Sequence, residues 1–272
     1  MVNPENPVLF VGAGPGDPEL LTLKGKRALE EADLVLYAGS LVNGALLEFC
    51  SPACERVDSS PLSLEEQVGM MAEKAGAGGR VVRLHTGDPS LFGAVAEQKE
   101  RLESRGLSVR FVPGVSSFQA AAAALGIQYT VPGGSQTVIC TRRSGRTPVP
   151  PREDLRLLAE HGATMVIFLS ADQAEAVATD LIDGGIPPAT PAACVYRASW
   201  NDERILVSTV GKLPGLMTES GITRHALIVV GECVTSQGAR SFLYSPDFFH
   251  GARPAAPSRR PEEEPFRTET IR

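Results

Sequence analysis

Short apolar runs rich in β-branched residues alternate with helical patterns along most of the chain, and this alternation constrains the fold more than any other feature. In the first half the predicted strands are Val8–Val11, Leu34–Tyr37, Val81–Leu84 and Val109–Val112. The predicted helices between and after them are Thr22–Glu31, a helix opened by the capping box Ser63-x-x-Glu66, Val95–Ser104, and an alanine-rich helix that ends at Gly126. Strands that alternate with helices form mostly parallel sheets with helices on their faces. The fold class predicted for the first half is therefore α/β.

The same pattern begins again after Tyr129–Ser135, a segment rich in turn residues. The predicted strands of the second half are Thr137–Cys140, Met165–Leu169, Ala193–Tyr196, Ile205–Thr209 and Ala226–Val230. We also predict that Asp172-x-x-Glu175 caps a helix carrying Val177, Ala178 and Leu181. The predicted organisation is an N-terminal α/β domain over residues 1–130, a C-terminal α/β domain over 135–245 and a disordered tail over 246–272. The tail is rich in Pro, Arg and Glu, with little apolar surface to bury.

Charge and cysteine content narrow the classes of function. The net charge of −6 argues against a general nucleic-acid binder, and no apolar run approaches the roughly 20 residues of a membrane span. The five cysteines are odd in number and include no CxxC pair. Together with an N-terminus that lacks a signal-peptide pattern, this predicts free thiols in a reducing cytoplasm. The spacing of Cys50, Cys54 and His85 is not that of a structural zinc site, so no metal is predicted.

The first predicted strand leads into Gly12-Ala13-Gly14-Pro15-Gly16-Asp17, which looks like a dinucleotide-binding turn. The third glycine of such a turn would fall on Asp17, whose carboxylate would repel a phosphate. Pro15 and Pro18 each lack a backbone donor, and the next strand ends at Tyr37-Ala38-Gly39 without the acidic residue that would bind a ribose. These departures disfavour a nicotinamide-dependent oxidoreductase, which stays an alternative. A tight structural turn explains the glycines but not Asp17 and Thr22 beside them.

Three motifs, in order and at plausible separations, resemble those of the tetrapyrrole (precorrin and uroporphyrin) methylases. They are GAGPGDPELLTLKG (12–25), HTGDPSLFGA (85–94) and FVPGVSSFQAAAAALG (111–126), within a resemblance that extends over roughly Val8 to Val234. YAGSLV (37–42), His85-Thr86, GRTPVP (145–150) and HGATMVIFLS (161–170) are most similar to the branch that methylates precorrin-4 at C11. A methylase acting on cobalt-precorrin-4, or on another macrocycle carbon as in uroporphyrinogen III C-methyltransferases, is the nearest alternative. A non-catalytic binding module is a further one.

The resemblance implies that S-adenosylmethionine is bound in a cleft between two α/β domains and leaves as S-adenosylhomocysteine. It also implies a homodimer whose substrate is precorrin-4. The cofactor-binding positions implied in this way are Pro15, Thr86, Gly87, Asp88, Leu91, Ser116, Ser117, Leu169, Tyr196, Arg197, Ala198 and Ala226. Several have simpler interpretations: Asp88 could form an Asx-Pro turn, the serines could cap a helix, and Leu169 and Ala226 could be core residues.

The first loop and a set of cations are the candidates for the substrate side of the cleft. Because the macrocycle carries many carboxylates, Lys24, Arg142, Arg143 and Arg146 are predicted to bind the substrate. Gly14 of the first loop is the fifth predicted substrate-binding residue. By the same resemblance Asp17 is the candidate catalytic residue, as a proton handler or substrate anchor. A helix cap is the alternative for Asp17, and a solvated charged loop is the alternative for the arginines.

Overall fold

The computed structural model describes residues 3–235 together with Ser241 and Phe248. Apart from Phe248, the predicted tail over 246–272 lies outside the described residues. The chain forms two sheets of five strands each, one from each half of the sequence, with helices packed on them. The fold class is α/β with two such units, as predicted. No helix among the described residues is both long and apolar enough to cross a membrane.

The first sheet is entirely parallel, with the strand order β3-β2-β4-β1-β5. Its strands are β1 (Asn3–Gly12), β2 (Leu34–Tyr37), β3 (Glu55–Asp58), β4 (Val81–His85) and β5 (Leu107–Val112). Sequence analysis missed β3, because this strand lies at the edge of the sheet and is mostly exposed, so it lacks an apolar pattern. Parallel strands bring the carboxyl ends of β1, β4 and β5 to one edge of the sheet.

Helices cover both faces of the first sheet. They are α1 (Leu23–Glu30), α2 (Leu64–Gly76) and α3 (Val95–Glu103). Val11 and Leu84 pack with Leu29 of α1 on one face, whereas Phe10 packs with Met71 of α2 and Leu102 of α3 on the other. The predicted capping box of α2 is confirmed, since Ser63 and Glu66 exchange both of its hydrogen bonds.

The second sheet is mixed, with the order β6-β7-β10-β8-β9. Its strands are β6 (Val138–Arg142), β7 (Thr164–Phe168), β8 (Pro191–Tyr196), β9 (Arg204–Thr209) and β10 (Ala226–Val230). Only β6 and β7 pair in parallel, and β10 runs antiparallel to both β7 and β8. The start of β10 therefore lies at the same edge as the ends of β6, β7 and β8.

The helices of the second half are α5 (Leu155–Ala159), α6 (Ala174–Asp183) and α7 (Leu213–Glu219), of which α7 was not predicted. The predicted cap at Asp172 is wrong. A single 3₁₀ turn over Ala171–Gln173 precedes α6, so Asp172 lies inside that turn and Gln173 is the N-cap residue. The predicted buried face of α6 is confirmed by Val177 and Leu181.

The helix α4 (Ser117–Leu125) connects the two halves. Ala120 and Ala121 of α4 pack in one buried cluster with Phe168, Val195 and Val229 of the second sheet. The opposite face of the second sheet is covered by α5, α6 and α7. The predicted domain boundaries at 130 and 135 are untested, and α4 packs against the second sheet although it precedes them.

Candidate functional site

The loops that follow β1, β4 and β5 meet at one edge of the first sheet. Gly14 and Gly87 form an isolated antiparallel bridge, in which the Gly87 amide donates to the Gly14 carbonyl at 2.8 Å and the Gly14 amide donates to the Gly87 carbonyl at 3.2 Å. A Cβ added at Gly12 would lie 2.6 Å from both Gly114 Cα and the Gly87 carbonyl oxygen. Since these neighbours are backbone atoms that cannot move aside, the three loops pack this closely only with glycine at position 12.

Asp88 ties two of these loops together. Its Oδ2 accepts a hydrogen bond from the Gly114 amide at 2.8 Å, and its Oδ1 accepts from the amide of Ser90 at 2.8 Å and from the Ser90 hydroxyl. Burial raises the pKa of Asp88, but the hydrogen bonds from Ser90 and Gly114 outweigh burial and leave the pKa below its ordinary value. The turn expected from the Asp-Pro sequence is therefore present, and the same carboxylate also orders the loop after β5.

The N-terminus of α4 opens at this edge as well. Ser116 is the N-cap residue and is buried, but its side chain makes no capping hydrogen bond. A Cβ added at Gly87, which has a φ of +61°, would lie 3.5 Å from Ser116 Cα and 3.6 Å from the Ser117 nitrogen. The first-turn amides of a helix have no partners within it. The arrangement thus leaves hydroxyl and amide groups of α4 beside the glycine loops.

Three non-glycine residues with left-handed backbone conformation stand at one edge of the second sheet. Leu169 follows β7 with a φ of +51°, Arg197 follows β8 with +47°, and His225 precedes β10 with +55°. The Arg197 amide donates to the His225 carbonyl at 2.8 Å, which joins two of the three. Backbone strain of this kind clusters at ligand-binding sites. This edge is therefore the second part of the candidate site.

The predicted cofactor-binding residues of the second half all lie at this strained edge. Leu169 is 68% exposed, which rules out the alternative that it is a core residue. Ala198 and Ala226 are buried at the ends of β8 and β10. Tyr196 is half-buried, and the guanidinium of Arg204 lies 4.6 Å from the centre of its ring. The exposed, strained Leu169 is the strongest signal of a ligand here.

The two edges are joined by direct contacts. The Trp200 Nε1 donates to the Pro15 carbonyl at 2.8 Å, and the Asp17 amide donates to the Ser199 hydroxyl at 3.0 Å. Leu91, from the loop after β4, packs on the cluster that contains Phe168. Of the predicted cofactor residues in the first half, only Thr86 is exposed, and the others are buried or half-buried. The structure thus brings the predicted cofactor-binding residues to two adjoining edges.

Sequence analysis did not identify Ser199 and Trp200, and no pattern links them to residues about 180 positions earlier. The one available signal was that the chain's only tryptophan lies two residues after Tyr196-Arg197-Ala198.

Asp17 caps a short helical turn. Its Oδ1 accepts from the Glu19 amide at 2.8 Å, at the start of the 3₁₀ turn Pro18–Leu20. The side chain is half-buried, and its Oδ2 accepts no hydrogen bond from any residue within 3–235. Asp17 therefore has the capping role that was its alternative interpretation. The second carboxylate oxygen is available for the predicted role in substrate binding or proton transfer.

The predicted arginine cluster lies at the cofactor edge, but its members are engaged differently. The Arg142 guanidinium donates to the carbonyls of Thr147 at 2.9 Å and Pro148 at 2.8 Å. Arg143 pairs with Asp180 at 2.6 Å and donates to Gln173 at 2.7 Å. Arg146 is exposed and forms no ion pair in the part of the chain that the structure describes. Arg146 is therefore the best placed of the three to meet an anionic ligand.

Lys24 is exposed on α1, in the helix that follows the first loop. No hydrogen bond or ion pair holds its ammonium group to another of the described residues. Its role as a substrate ligand stays a prediction.

Arg83 and His85 are buried polar residues beneath the first edge, and neither was predicted as a site residue. Arg83 is 5% exposed and donates to Gln98 Oε1 at 3.1 Å and to the Leu36 carbonyl at 3.3 Å. Burial, together with the smaller effect of the Arg83 charge, lowers the pKa of His85 to about 3. His85 is consequently neutral at physiological pH and unsuited to shuttle protons. No group of three or more His, Cys, Asp or Glu side chains among the described residues is placed to hold a metal.

Comparison with known proteins identifies relatives over most of the chain. Residues 7–214 match the family Tetrapyrrole (Corrin/Porphyrin) Methylases. The chain is 49% identical over 247 residues to the cobalt-precorrin-4 C(11)-methyltransferase of Methanocaldococcus jannaschii, covering 90% of this chain and 95% of the relative. It is 46% identical over 240 residues to the precorrin-4 C(11)-methyltransferase of Mycobacterium tuberculosis, covering 88% and 96%.

Comparison with solved structures also identifies similar proteins over most of the chain. An X-ray structure of a cobalamin biosynthetic enzyme, cobalt precorrin-4 methyltransferase, superposes with a TM-score of 0.82 at 43% identity, covering 84% of this chain and 96% of that one. Uroporphyrin-III C-methyltransferase from Thermus thermophilus, complexed with S-adenosylhomocysteine, superposes with a TM-score of 0.71 at 33% identity, covering 84% and 99%.

Proposed function

The chain belongs to the tetrapyrrole (corrin/porphyrin) methylase family, and on that premise we propose that it transfers a methyl group from S-adenosylmethionine to C11 of precorrin-4. The products are precorrin-5 and S-adenosylhomocysteine, and the reaction is a step of cobalamin biosynthesis. Relatives with this activity in their names align over about nine-tenths of the chain at 46–49% identity. This is closer than the 33% identity to the uroporphyrin-III methyltransferase structure.

The observation that carries the proposal is the meeting of the glycine-loop edge of the first sheet with the strained edge of the second. Ligands of open α/β sheets bind outside the carboxyl ends of the strands, and here two such edges adjoin. Gly87 and Ser117 from the first edge, with Leu169, Ala198 and Ala226 from the second, would hold the cofactor through backbone groups and apolar contact. When bound, the sulfonium of S-adenosylmethionine makes its methyl group electrophilic, and the protein contributes chiefly position and charge.

The contacts of the first loop argue against the nicotinamide-dependent alternative. The Ala13 amide donates to the His85 carbonyl at 2.6 Å and the Gly14 amide to the Gly87 carbonyl at 3.2 Å. Pro15 has no amide hydrogen, and the Asp17 amide is engaged by the Ser199 hydroxyl. A pyrophosphate needs free amides at this place. Of the amides at positions 13–17, only that of Gly16 makes no hydrogen bond to another residue that the structure describes.

The first loop instead suits the substrate side of the cleft. An electron-rich carbon of the macrocycle attacks the methyl group, and a proton is lost or moved as the new C–C bond forms. The Oδ2 of Asp17, which accepts no hydrogen bond from the described residues, would accept a pyrrole N–H or that proton. Arg146 and Lys24, both exposed, are the proposed partners of the macrocycle carboxylates.

Cobalt-precorrin-4 is the second candidate substrate, because the relative at 49% identity carries that name. The two candidates differ in the metal at the centre of the ring and not in the carbon that is methylated. We also propose a cytoplasmic homodimer. The five cysteines of the chain are free thiols, which supports a reducing compartment. The edge strand β9 exposes the apolar side chains of Ile205 and Val207, which supports an interface with a second copy of the chain.

Titration calorimetry with S-adenosylhomocysteine and with NADH tests the proposed cofactor. We expect one S-adenosylhomocysteine per chain and no NADH binding. Gly87→Val, which fills the junction beside Ser116, should abolish binding, whereas Gly69→Ala on α2, where an added Cβ meets no atom within 4 Å, should not alter it. Binding of NADH alone would overturn the assignment. Light scattering tests the dimer, and a monomeric enzyme with full activity would contradict it.

A further inference from the structure

We propose that Trp200 is a positioning residue that fixes the glycine loop of the first half against the cofactor edge of the second. This inference rests on the proposed function, because it concerns the placement of the substrate-side loop relative to the methyl donor. The indole carries out no chemistry in this account. It donates a hydrogen bond to Pro15 and packs against Gly16, and so places the loop Pro15-Gly16-Asp17 beside the proposed position of the macrocycle.

Each of these three loop residues is held by a hydrogen bond from outside the loop. The Trp200 Nε1 donates to the Pro15 carbonyl at 2.8 Å, and the Ser199 hydroxyl accepts from the Asp17 amide at 3.0 Å. Between them, the Gly16 carbonyl accepts from Asn43 Nδ2 at 2.8 Å. The first two bonds come from the second half of the chain and the third from the first half. The loop is therefore one of the places at which the two halves meet.

The indole also lies in close contact with Gly16. A Cβ added at Gly16 would lie 2.2 Å from both Cδ1 and Nε1 of Trp200, far closer than any real Cβ contact. Gly16 has a φ outside the left-handed region, so its backbone conformation does not require glycine. The need for glycine at position 16 comes from the tryptophan ring.

Trp200 is itself held rigidly. The guanidinium of Arg197 lies 4.1 Å from the centre of the indole and pairs with Asp202 at 2.7 Å. The Trp200 amide donates to the Arg197 carbonyl at 3.0 Å, and the Ser199 amide donates to Glu203 Oε2 at 2.6 Å. One side of the indole thus contacts a predicted cofactor residue and its Nε1 holds the substrate-side loop. Displacing the ring would change the position of the loop relative to the cofactor.

Two variants separate the parts of this contact. Trp200→Phe keeps the aromatic ring and its contact with Arg197 but removes the Nε1–H donor. We expect kcat with precorrin-4 to fall about two- to tenfold, the range for loss of one neutral hydrogen bond, with the Kd for S-adenosylhomocysteine unchanged within about twofold. Trp200→Leu should reduce kcat further. Wild-type kcat in both variants would overturn the proposal, as would a loss of cofactor affinity in Trp200→Phe that accounts for its lower rate.

A suppression experiment tests the contact itself. Gly16→Ala places a methyl group where the indole lies, so it should reduce kcat strongly, whereas Gly69→Ala should not. Combining Gly16→Ala with Trp200→Leu should restore activity above that of Gly16→Ala alone, because the clash is removed. Strictly additive losses would refute the coupling.

The wild type, Gly16→Ala, Trp200→Leu and the double variant can also be compared by urea unfolding and by S-adenosylhomocysteine affinity. Non-additivity there reports the Gly16–Trp200 contact even if the substrate is another macrocycle. Absence of turnover by the wild-type enzyme with precorrin-4 is a separate result that would contradict the proposed function alone.

Discussion

Asp88→Asn tests whether one carboxylate orders the loops at the edge of the first sheet. Asp88 accepts hydrogen bonds from the Gly114 amide and from the amide and hydroxyl of Ser90. Asparagine supplies one carbonyl oxygen and an NH₂ group. Whichever way it turns, either Gly114 or the Ser90 pair faces a donor instead of an acceptor.

The expected loss follows from these bonds. A hydrogen bond to a charged acceptor contributes about 1.5–3 kcal/mol. Because Asp88 is only partly buried, solvent screening reduces this, and we expect the free energy of unfolding to fall by about 1–2 kcal/mol at pH 7. For a chain of this size that corresponds to a Tm lower by about 2–8 °C. Binding of S-adenosylhomocysteine should weaken as well, since the Gly114 loop leads into α4.

The pH dependence of the stability difference is a more specific test of the role of Asp88. The pKa of Asp88 in the folded protein lies below its ordinary value, so its contribution is complete above the unfolded pKa of about 3.9 and is lost as the pH falls through the folded pKa. The difference between wild type and Asp88→Asn, measured by urea unfolding, should stay constant between about pH 5.5 and 7 and shrink below about pH 4.

Asp154→Asn is a matched control for this measurement. Among the described residues, the Asp154 carboxylate accepts only from the amide and the guanidinium of Arg156, two residues away, and asparagine caps helices equally well. Its change in stability should stay within about 0.5 kcal/mol. Equal stability of Asp88→Asn and wild type at pH 7, or a difference that grows toward acid pH, would refute the reasoning.

Four further variants address the rest of the site. Asp17→Asn should fold and bind cofactor, because asparagine still accepts from Glu19, but single-turnover methyl transfer should fall about 10²–10⁴-fold if the carboxylate moves a proton; wild-type rates would leave Asp17 as a cap only. Arg146→Ala should raise the KM for the macrocycle with cofactor affinity unchanged, whereas Arg143→Ala should lower the Tm by leaving Asp180 unpaired. Gly12→Ala should reduce stability by about 1–3 kcal/mol in urea unfolding, since its Cβ meets backbone on two sides; wild-type stability would contradict the packing described.

The regular features of the fold could be predicted because their causes are local. Buried strands such as Leu34–Tyr37 and Ala226–Val230 have the predicted bounds, since a short apolar run is enough to identify them. The α2 cap depends on Ser63 and Glu66, three residues apart. The antiparallel course of β10 is different in kind, because it depends on pairing with β7 and β8, 30 or more residues earlier.

The residues of the candidate site also divide into those with local causes and those that depend on tertiary contacts. Gly87 and Asp88 could be predicted as candidate site residues because both belong to one compact motif of the sequence. The contact of Trp200 with Gly16 joins positions about 185 apart and depends on how the two sheets pack. Arg143 was predicted as a substrate ligand from its charge alone, and the sequence does not show that Asp180 would pair with it. Local chemistry is readable from a sequence, whereas tertiary partners are not.

The most direct test of the central claim is to incubate the enzyme with precorrin-4 and S-adenosylmethionine carrying a ¹³C-methyl group, and to locate the label in the product by NMR. Cobalt-precorrin-4 and uroporphyrinogen III serve as parallel substrates. We expect one new methyl group per macrocycle, at C11, with stoichiometric release of S-adenosylhomocysteine. A label at another ring carbon, or transfer to uroporphyrinogen III and to neither form of precorrin-4, would contradict it.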